Sequence, residues 1–258
     1  MNKTIEKIVS LCKQRGFVYQ SSEIYGGFGA VYDYGPLGVE LKNNIAKYWW
    51  KEMTQIHENI VGLDSGILMH PKIWEASGHV NEFHDPLVDC KQCNSRFRAD
   101  ELSENINNEE WDKIKCPVCG TTGRMTSPRQ FNLMFKTQVG PIEEAGSEAY
   151  LRPETAQGIF VNYLNVQKTG RKKLPFGIAQ IGKAFRNEII ARQFIFRMRE
   201  FEQMEMQFFI KPGSQKEWYE YWKKERMAWH QSLGIDKENL QFHDHIKLAH
   251  YADAACDI

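Results

Sequence analysis

No stretch of this sequence stays apolar for the roughly 18 residues that crossing a bilayer requires. Nor does Met1-Asn2-Lys3-Thr4-Ile5-Glu6 open like a secretory signal. The expected compartment is the cytoplasm, with no membrane among the partners. An excess of one charge is missing too: 33 Lys and Arg face 33 Asp and Glu. No global basic field is available to hold nucleic acid, so any RNA contact must be local. Internal repeats and low-complexity tracts are also absent. Disorder is excluded by what remains, because 258 residues that are 42% hydrophobic and 12% aromatic can fill one large domain or two modest ones. Cysteines are few, six in all. Four of them form two C-x-x-C pairs, and Cys12 and Cys256 read as small buried hydrophobes.

Along the chain, Ile5, Ile8, Val9 and Cys12 share one face of a helix expected from about Thr4 to Arg15, which Gly16 stops. The glycine-rich stretch from Ser21 to Gly38 breaks regular structure, and a second helix is expected from near Leu37 to about His57. Leu41, Ile45, Tyr48, Trp49, Met53 and Ile56 recur on it at helical spacing, leaving Lys42, Asn43, Lys47 and Lys51 toward water. That stripe serves either the chain's own core or a second subunit. Pro153 is placed in the first turn of a further helix ended by Gly170. Phe176 to Glu188 and Phe194 to Ile210 read as two strands of an antiparallel hairpin, followed by a helix over about Gln215 to Gln231.

Cys90-x2-Cys93 and Cys116-x2-Cys119, separated by a polar run from Ser103 to Glu110, suit a four-thiolate tetrahedral zinc ribbon. Four thiolates leave no open coordination position, so the metal would be structural and would help fold an insert short of core. Redox-active or unmetallated thiols are the alternative. His243-Asp244-His245 looks like a ligand pair, although surface or satisfied core histidines are the commoner case.

Strand alternation makes the hairpin the most informative region. One face of its second strand collects Arg197, Arg199, Phe201, Gln203 and Glu205, and the other collects Met198, Glu200, Glu202, Met204, Met206 and Phe208. The first strand places Ala184, Arg186 and Glu188 together. Arginine forks bind phosphate and an aromatic face stacks on a base, so the first surface suits a nucleotide. A solvated face laced with ion pairs fits the alternation equally.

Three strings carry a resemblance: Gly182-Lys183-Ala184-Phe185-Arg186-Asn187-Glu188, Arg197-Met198-Arg199-Glu200-Phe201, and Leu151-Arg152-Pro153-Glu154-Thr155-Ala156-Gln157-Gly158. They resemble class II aminoacyl-tRNA synthetases, and most closely the homodimeric glycyl-tRNA synthetase family. Asp33-Tyr34-Gly35-Pro36-Leu37-Gly38 with the helix after it looks like the first motif of that class, and Phe185-Arg186-Asn187-Glu188 with its hairpin like the second. The resemblance covers essentially the whole chain.

The resemblance implies roles position by position. Arg186 is the catalytic residue, gripping the ATP α-phosphate and the amino-acid carboxylate. The ATP site is Arg186, Asn187 and Glu188 with Phe196, Arg197, Met198, Arg199, Glu200 and Phe201, where Phe201 stacks on adenine. The glycine site is Arg98, Glu154, Phe201, Glu202, Gln203, Met204 and Glu205, with Glu154 and Glu205 taking the ammonium. Arg98 is nearly as compatible with an ordinary surface arginine, and Glu154 with a first-turn acid favoured by the helix dipole. A small carboxylate-lined pocket admits glycine and excludes larger side chains by overlap, so no editing domain is required.

The implied fold is α+β: a mainly antiparallel sheet flanked by helices, with the zinc-ribbon-like insertion. The expected division is 1–89 for the first part of the core, 90–125 for the insertion and 126–258 for the rest of the core. The implied activity is ligation of glycine to its tRNA through glycyl-adenylate, with ATP and Mg²⁺, in a homodimer. No third class II motif is found after Ile210, and no anticodon-binding domain follows, so a truncated chain with weak or no activity of its own is expected. The rival readings are a non-catalytic synthetase-like RNA-binding or subunit-interaction protein and a zinc-ribbon nucleic-acid binder.

Overall fold

The computed structural model describes residues 3–103, 110–142, 146–189, 194–249 and 251–258. Most of the polar run between the cysteine pairs (104–109) and the middle of the hairpin connection (190–193) lie outside them. Two compact units are formed, one from 1–171 with 177–207 and one from 172–176 with 208–258.

The first unit opens with α1 (Lys3–Gln14), then β1 (Val18–Gln20) paired antiparallel with β2 (Tyr32–Tyr34) in the register Val18 to Tyr34. Pro36 starts α2 (Pro36–Lys51), whose last turn widens into a π-helical turn over Glu52–Ile56. The glycine at 38 is required by packing: a Cβ there would sit 1.8 Å from the Phe17 carbonyl oxygen. The expected stripe on α2 divides in two. Trp49 and Met53 are buried, whereas Leu37, Leu41, Tyr48 and Ile56 are exposed. Lys42, expected in water, instead pairs with Glu202 at 2.9 Å.

β3 (Ile60–Gly62) leads to two short helices, α3 (Pro71–Ala76) and α4 (His79–Glu82). β4 (His84–Asp89) then forms the centre of a three-stranded antiparallel sheet, with β5 (Arg96–Arg98) on one side and β6 (Arg129–Asn132) on the other. The turn α5 (Ala99–Leu102) follows β5. Val88, Phe97, Ala99, Trp111 and Met125 are buried together with Cys90 and Cys116. The cysteine region therefore has a core of its own, contrary to the expectation of an insert short of one, because Phe97, Ala99, Trp111 and Met125 from within it close over Val88 of β4.

β7 (Lys136–Gln138) pairs antiparallel with β8 (Glu148–Tyr150), and α6 spans Ala156–Thr169. α6 starts three residues later than Pro153 leads one to expect. β9 (Phe176–Phe185) lies between β3, to which it is parallel, and β10 (Glu200–Phe209). Both strands are shorter than expected at their joined ends, where Phe194–Phe196 form a 3₁₀ turn and Arg186 N–H donates to the Arg199 carbonyl at 2.9 Å.

The second unit contains α7 (Gln215–Ser232) and a two-residue ladder of β11 (His243–Asp244) with β12 (Cys256–Asp257). Its aromatic stripe is a packing feature: Phe208 meets the rings of Trp218 and Trp222 at 4.7 and 5.1 Å, and Trp229 is buried. His245 pairs with Asp257 at 2.9 Å. Cys12 and Cys256, expected buried, are both partly exposed. Among the described residues no helix is long and apolar enough to cross a membrane.

Candidate active site

The loop between β8 and α6 is fastened before it presents any functional group. Arg152 is 2% exposed. Its Nε donates to the Lys183 carbonyl at 2.6 Å and its Nη1 to the Ser65 carbonyl at 2.8 Å, while its own carbonyl accepts from Phe185 N–H at 2.9 Å. Two carbonyls thus receive donors from a buried, charged group that cannot lose its proton.

Thr155 explains the late start of α6. Its N–H donates to Gln203 Oε1 at 3.1 Å and its hydroxyl donates to Glu205, so neither group caps the helix locally. Pro153 and Glu154 remain outside the helix, and the first-turn placement expected for Glu154 is corrected accordingly. Both contacts draw the loop onto the β10 face that carries Phe201, Gln203 and Glu205. The other oxygen of Glu205 accepts from Gln207 at 2.6 Å.

Arg186 occupies the middle of this surface. Its Nε donates to the Pro153 carbonyl at 3.0 Å, and its Nη2 is 3.9 Å from Glu154. The guanidinium lies 5.3 Å from the Phe201 ring centroid and 5.5 Å from that of Phe83. Glu154 also accepts from Gln157 at 2.7 Å and meets His79 at 3.5 Å. The His79 contact, opposed by burial and aided by Gln157 and Arg186, holds the Glu154 carboxyl below its ordinary range.

At the far end of the hairpin, buried Glu188 pairs with Arg197 Nε at 3.2 Å. Asn187 is held through its N–H, which donates to the Leu133 carbonyl at 2.7 Å. Arg199 binds main chain: its Nη1 donates to the Gly29 carbonyl at 2.9 Å and its Nη2 to the Glu188 carbonyl at 3.1 Å. The glycine-rich segment is tied on again where Arg199 N–H donates to the Ala30 carbonyl at 2.8 Å. Phe196 is exposed and Met198 buried.

Not every expected residue shares this surface. Glu200 pairs with Lys183 and Glu202 with Lys42 of α2, which places both on the opposite face of β10, as alternation demands. Met204 belongs with them by register. Arg98 is tied to Asp85 at 2.6 Å and, in a two-pronged contact, to Asp100 at 2.7 and 3.1 Å. Its hydrogen bond to Asp100 raises its pKa, while burial raises that of Asp85 against the pull of Arg98 and Arg197. One cavity of about 470 Å³, in the range of small-molecule sites, nevertheless takes lining from both faces: Arg186, Glu188, Arg197 and Phe201 from the one, Glu202 and Met204 with Lys42 from the other.

Sequence reasoning missed His79, Phe83 and Asp85. Each is brought in by the α4–β4 segment, more than 50 residues before the strings that carry the resemblance, and no spacing pattern links them to it.

The four cysteine sulfurs lie within 4.8 Å of one another. Cys90 and Cys119 are 3.7 Å apart, as are Cys93 and Cys116. A regular tetrahedron of thiolates at the zinc–sulfur distance has edges of about 3.8 Å. The donor set therefore fits a metal ion. Hydrogen bonds from Thr121 push the Cys119 thiol down to about 6.

The family model described as tRNA synthetase class II core domain (G, H, P, S and T) matches residues 135–255. A protein of Treponema denticola named Glycine--tRNA ligase is 63% identical over 257 residues, covering 99% of this chain and 56% of that protein. Proteins of the same name from Borreliella burgdorferi and Acetivibrio thermocellus are 59% and 54% identical, covering 98% and 100% of this chain and 56% and 60% of their own. The chain spans little more than half the length of these relatives. Identity at this level along nearly its whole length, with the core-domain match across the hairpin, shows that the chain belongs to the class II aminoacyl-tRNA synthetase family.

Proposed function

We propose that this chain carries the amino-acid activation site of a glycine–tRNA ligase, joining glycine to ATP as the first step in charging glycine tRNA. One observation carries the reading: Arg186, Glu154 and Phe201 meet at one end of the β9–β10 surface, with Glu205 bound to the same loop through Thr155. An amino acid presents a carboxylate beside an ammonium, and Arg186 beside Glu154 presents the complementary pair. The Arg186 fork would bind the glycine carboxylate and the ATP α-phosphate. It would offset the charge that builds as a carboxylate oxygen attacks phosphorus and pyrophosphate leaves. Phe201 would stack on adenine, and the Glu188–Arg197 pair would position the nucleotide. Glu154 and Glu205 would receive the ammonium. Mg²⁺ travelling with ATP would neutralise phosphate charge. Catalysis of this kind is positioning and electrostatics, without a covalent enzyme nucleophile. The second step passes the glycyl group to the terminal ribose hydroxyl of the tRNA, in the cytoplasm.

Two further parts belong to the proposal. The cysteine cluster binds a structural zinc, favoured by its near-tetrahedral sulfur spacing. The protein works as a homodimer, and the exposed Leu37, Leu41 and Tyr48 on α2 supply an apolar surface for the second subunit.

The test is exchange of labelled pyrophosphate into ATP by the whole natural protein, across the standard amino acids. Exchange with glycine alone supports the proposal. Silence with every amino acid refutes it in favour of a non-catalytic protein, for which tRNA binding is the next measurement.

A further inference from the structure

The His79 imidazole is placed as a component of the site, though no sequence motif points to it. Its Nε2 faces Glu154 Oε1 at 3.5 Å, and its Nδ1 is 2.9 Å from the Ser77 hydroxyl. The Trp74 ring packs against it edge-on at 5.6 Å and the Phe83 ring at 5.2 Å. Phe83 in turn touches the Arg186 guanidinium. Only 12% of the His79 side chain is exposed.

The surrounding groups satisfy the ring in both protonation states. When it is neutral, the Ser77 hydroxyl donates to Nδ1, which leaves the proton on Nε2 directed at Glu154. When it is protonated, Nδ1–H donates to the Ser77 oxygen, and the hydroxyl turns to the Trp74 carbonyl, 3.4 Å away. In either state Nε2–H points at Glu154. Among the described residues in contact with the ring the charged one is Glu154, with Arg186 beyond it. Trp74 and Ser77 from the α3 side, Phe83 after α4, Asn132 of β6 and Gln157 of α6 are uncharged.

We propose that His79 is a positioning residue for the substrate ammonium. With Gln157 it occupies Oε1 of Glu154, so that Oε2, the oxygen beside Arg186, is the one left for the amino acid. This rests on the glycine-activation reading and adds to it the group that orients the carboxylate. A neutral ring orients Glu154 without taking its charge, whereas an imidazolium competes with the ammonium for the same carboxylate.

The test uses the whole natural protein and two variants, with KM for glycine and for ATP measured by pyrophosphate exchange at pH 8. His79→Ala removes the donor and is expected to raise the glycine KM about tenfold at pH 8, with less than about twofold change in the ATP KM or in kcat. His79→Gln keeps an N–H donor and is expected to match the unaltered protein at pH 8.

The proposal is overturned by a His79→Gln variant that behaves like His79→Ala, or by equal effects of His79→Ala on glycine and ATP. Exchange that is present but indifferent to His79 refutes the proposal alone. No amino-acid-dependent exchange in the unaltered protein refutes the glycine-activation reading, and this proposal with it.

Discussion

A Cβ at position 182 would lie 2.2 Å from Arg152 Nη2 and 3.2 Å from its Cζ. The terminus of an arginine can usually swing aside, but this one is 2% exposed and bonded to the carbonyls of Lys183 and Ser65. Gly182→Ala must therefore either strain the strand or drive the guanidinium off its acceptors. Overpacking costs about 1–3 kcal/mol, and each carbonyl left unpaired costs about 1–3 kcal/mol more. Arg152→Ala alone leaves both carbonyls bare and is expected to destabilise by about 2–6 kcal/mol on that ground. With the guanidinium gone, the methyl group at 182 has space, and its added cost should fall below about 0.5 kcal/mol. The double-mutant cycle then yields a coupling of about 2 kcal/mol. Urea unfolding of the two single variants and the double variant, followed by tryptophan fluorescence, measures it. Costs that add to within about 0.5 kcal/mol would show that Arg152 does not fill the space over Gly182, and the anchoring of the Glu154 loop would need another explanation.

Arg186→Ala in the whole protein is expected to reduce pyrophosphate exchange by about a thousandfold or more, since in the proposed reaction it removes the donors for the reacting phosphate. Retained exchange would take Arg186 out of the catalytic role. Glu205→Gln keeps the shape and the oxygen that accepts from Gln207, turns an N–H donor toward the Thr155 hydroxyl in place of the second oxygen, and loses the charge. It should raise the glycine KM at least about tenfold and the ATP KM less than about threefold. Equal changes would remove the ammonium assignment. Metal analysis should return about one zinc per chain, lost in Cys116→Ser together with native tryptophan fluorescence from Trp111. A folded protein without metal would refute the ribbon.

How far the sequence could be read depended on how local each interaction is. Alternation on β10 separated Phe201, Gln203 and Glu205 from Glu200 and Glu202, because a period of two requires no knowledge of distant partners. The C-x-x-C pairs were legible for the same reason: the two cysteines of each pair lie three residues apart. Pro153 misled because its helix-starting tendency is a local rule, whereas Thr155 bonds to Gln203 and Glu205 some 50 residues away. The stripe on α2 was seen, but which of its residues turn inward depends on what covers them. Arg98 could not be distinguished from a surface arginine until Asp85 was placed beside it. His79 was invisible, since its meaning comes from Ser77 on one side and Glu154 on the other.

The attachments of the glycine-rich segment to Arg199 run to main-chain oxygens, those of Gly29 and Ala30. A clasp of that kind reads the path of the chain and is blind to the side chains it carries. The tip of the segment, including the solvent-facing Ile24 and Tyr25, is thus free to accept replacement by an unrelated turn of the same length. The β1–β2 ribbon offers a place for a reporter peptide or fluorophore that leaves the hairpin below it undisturbed.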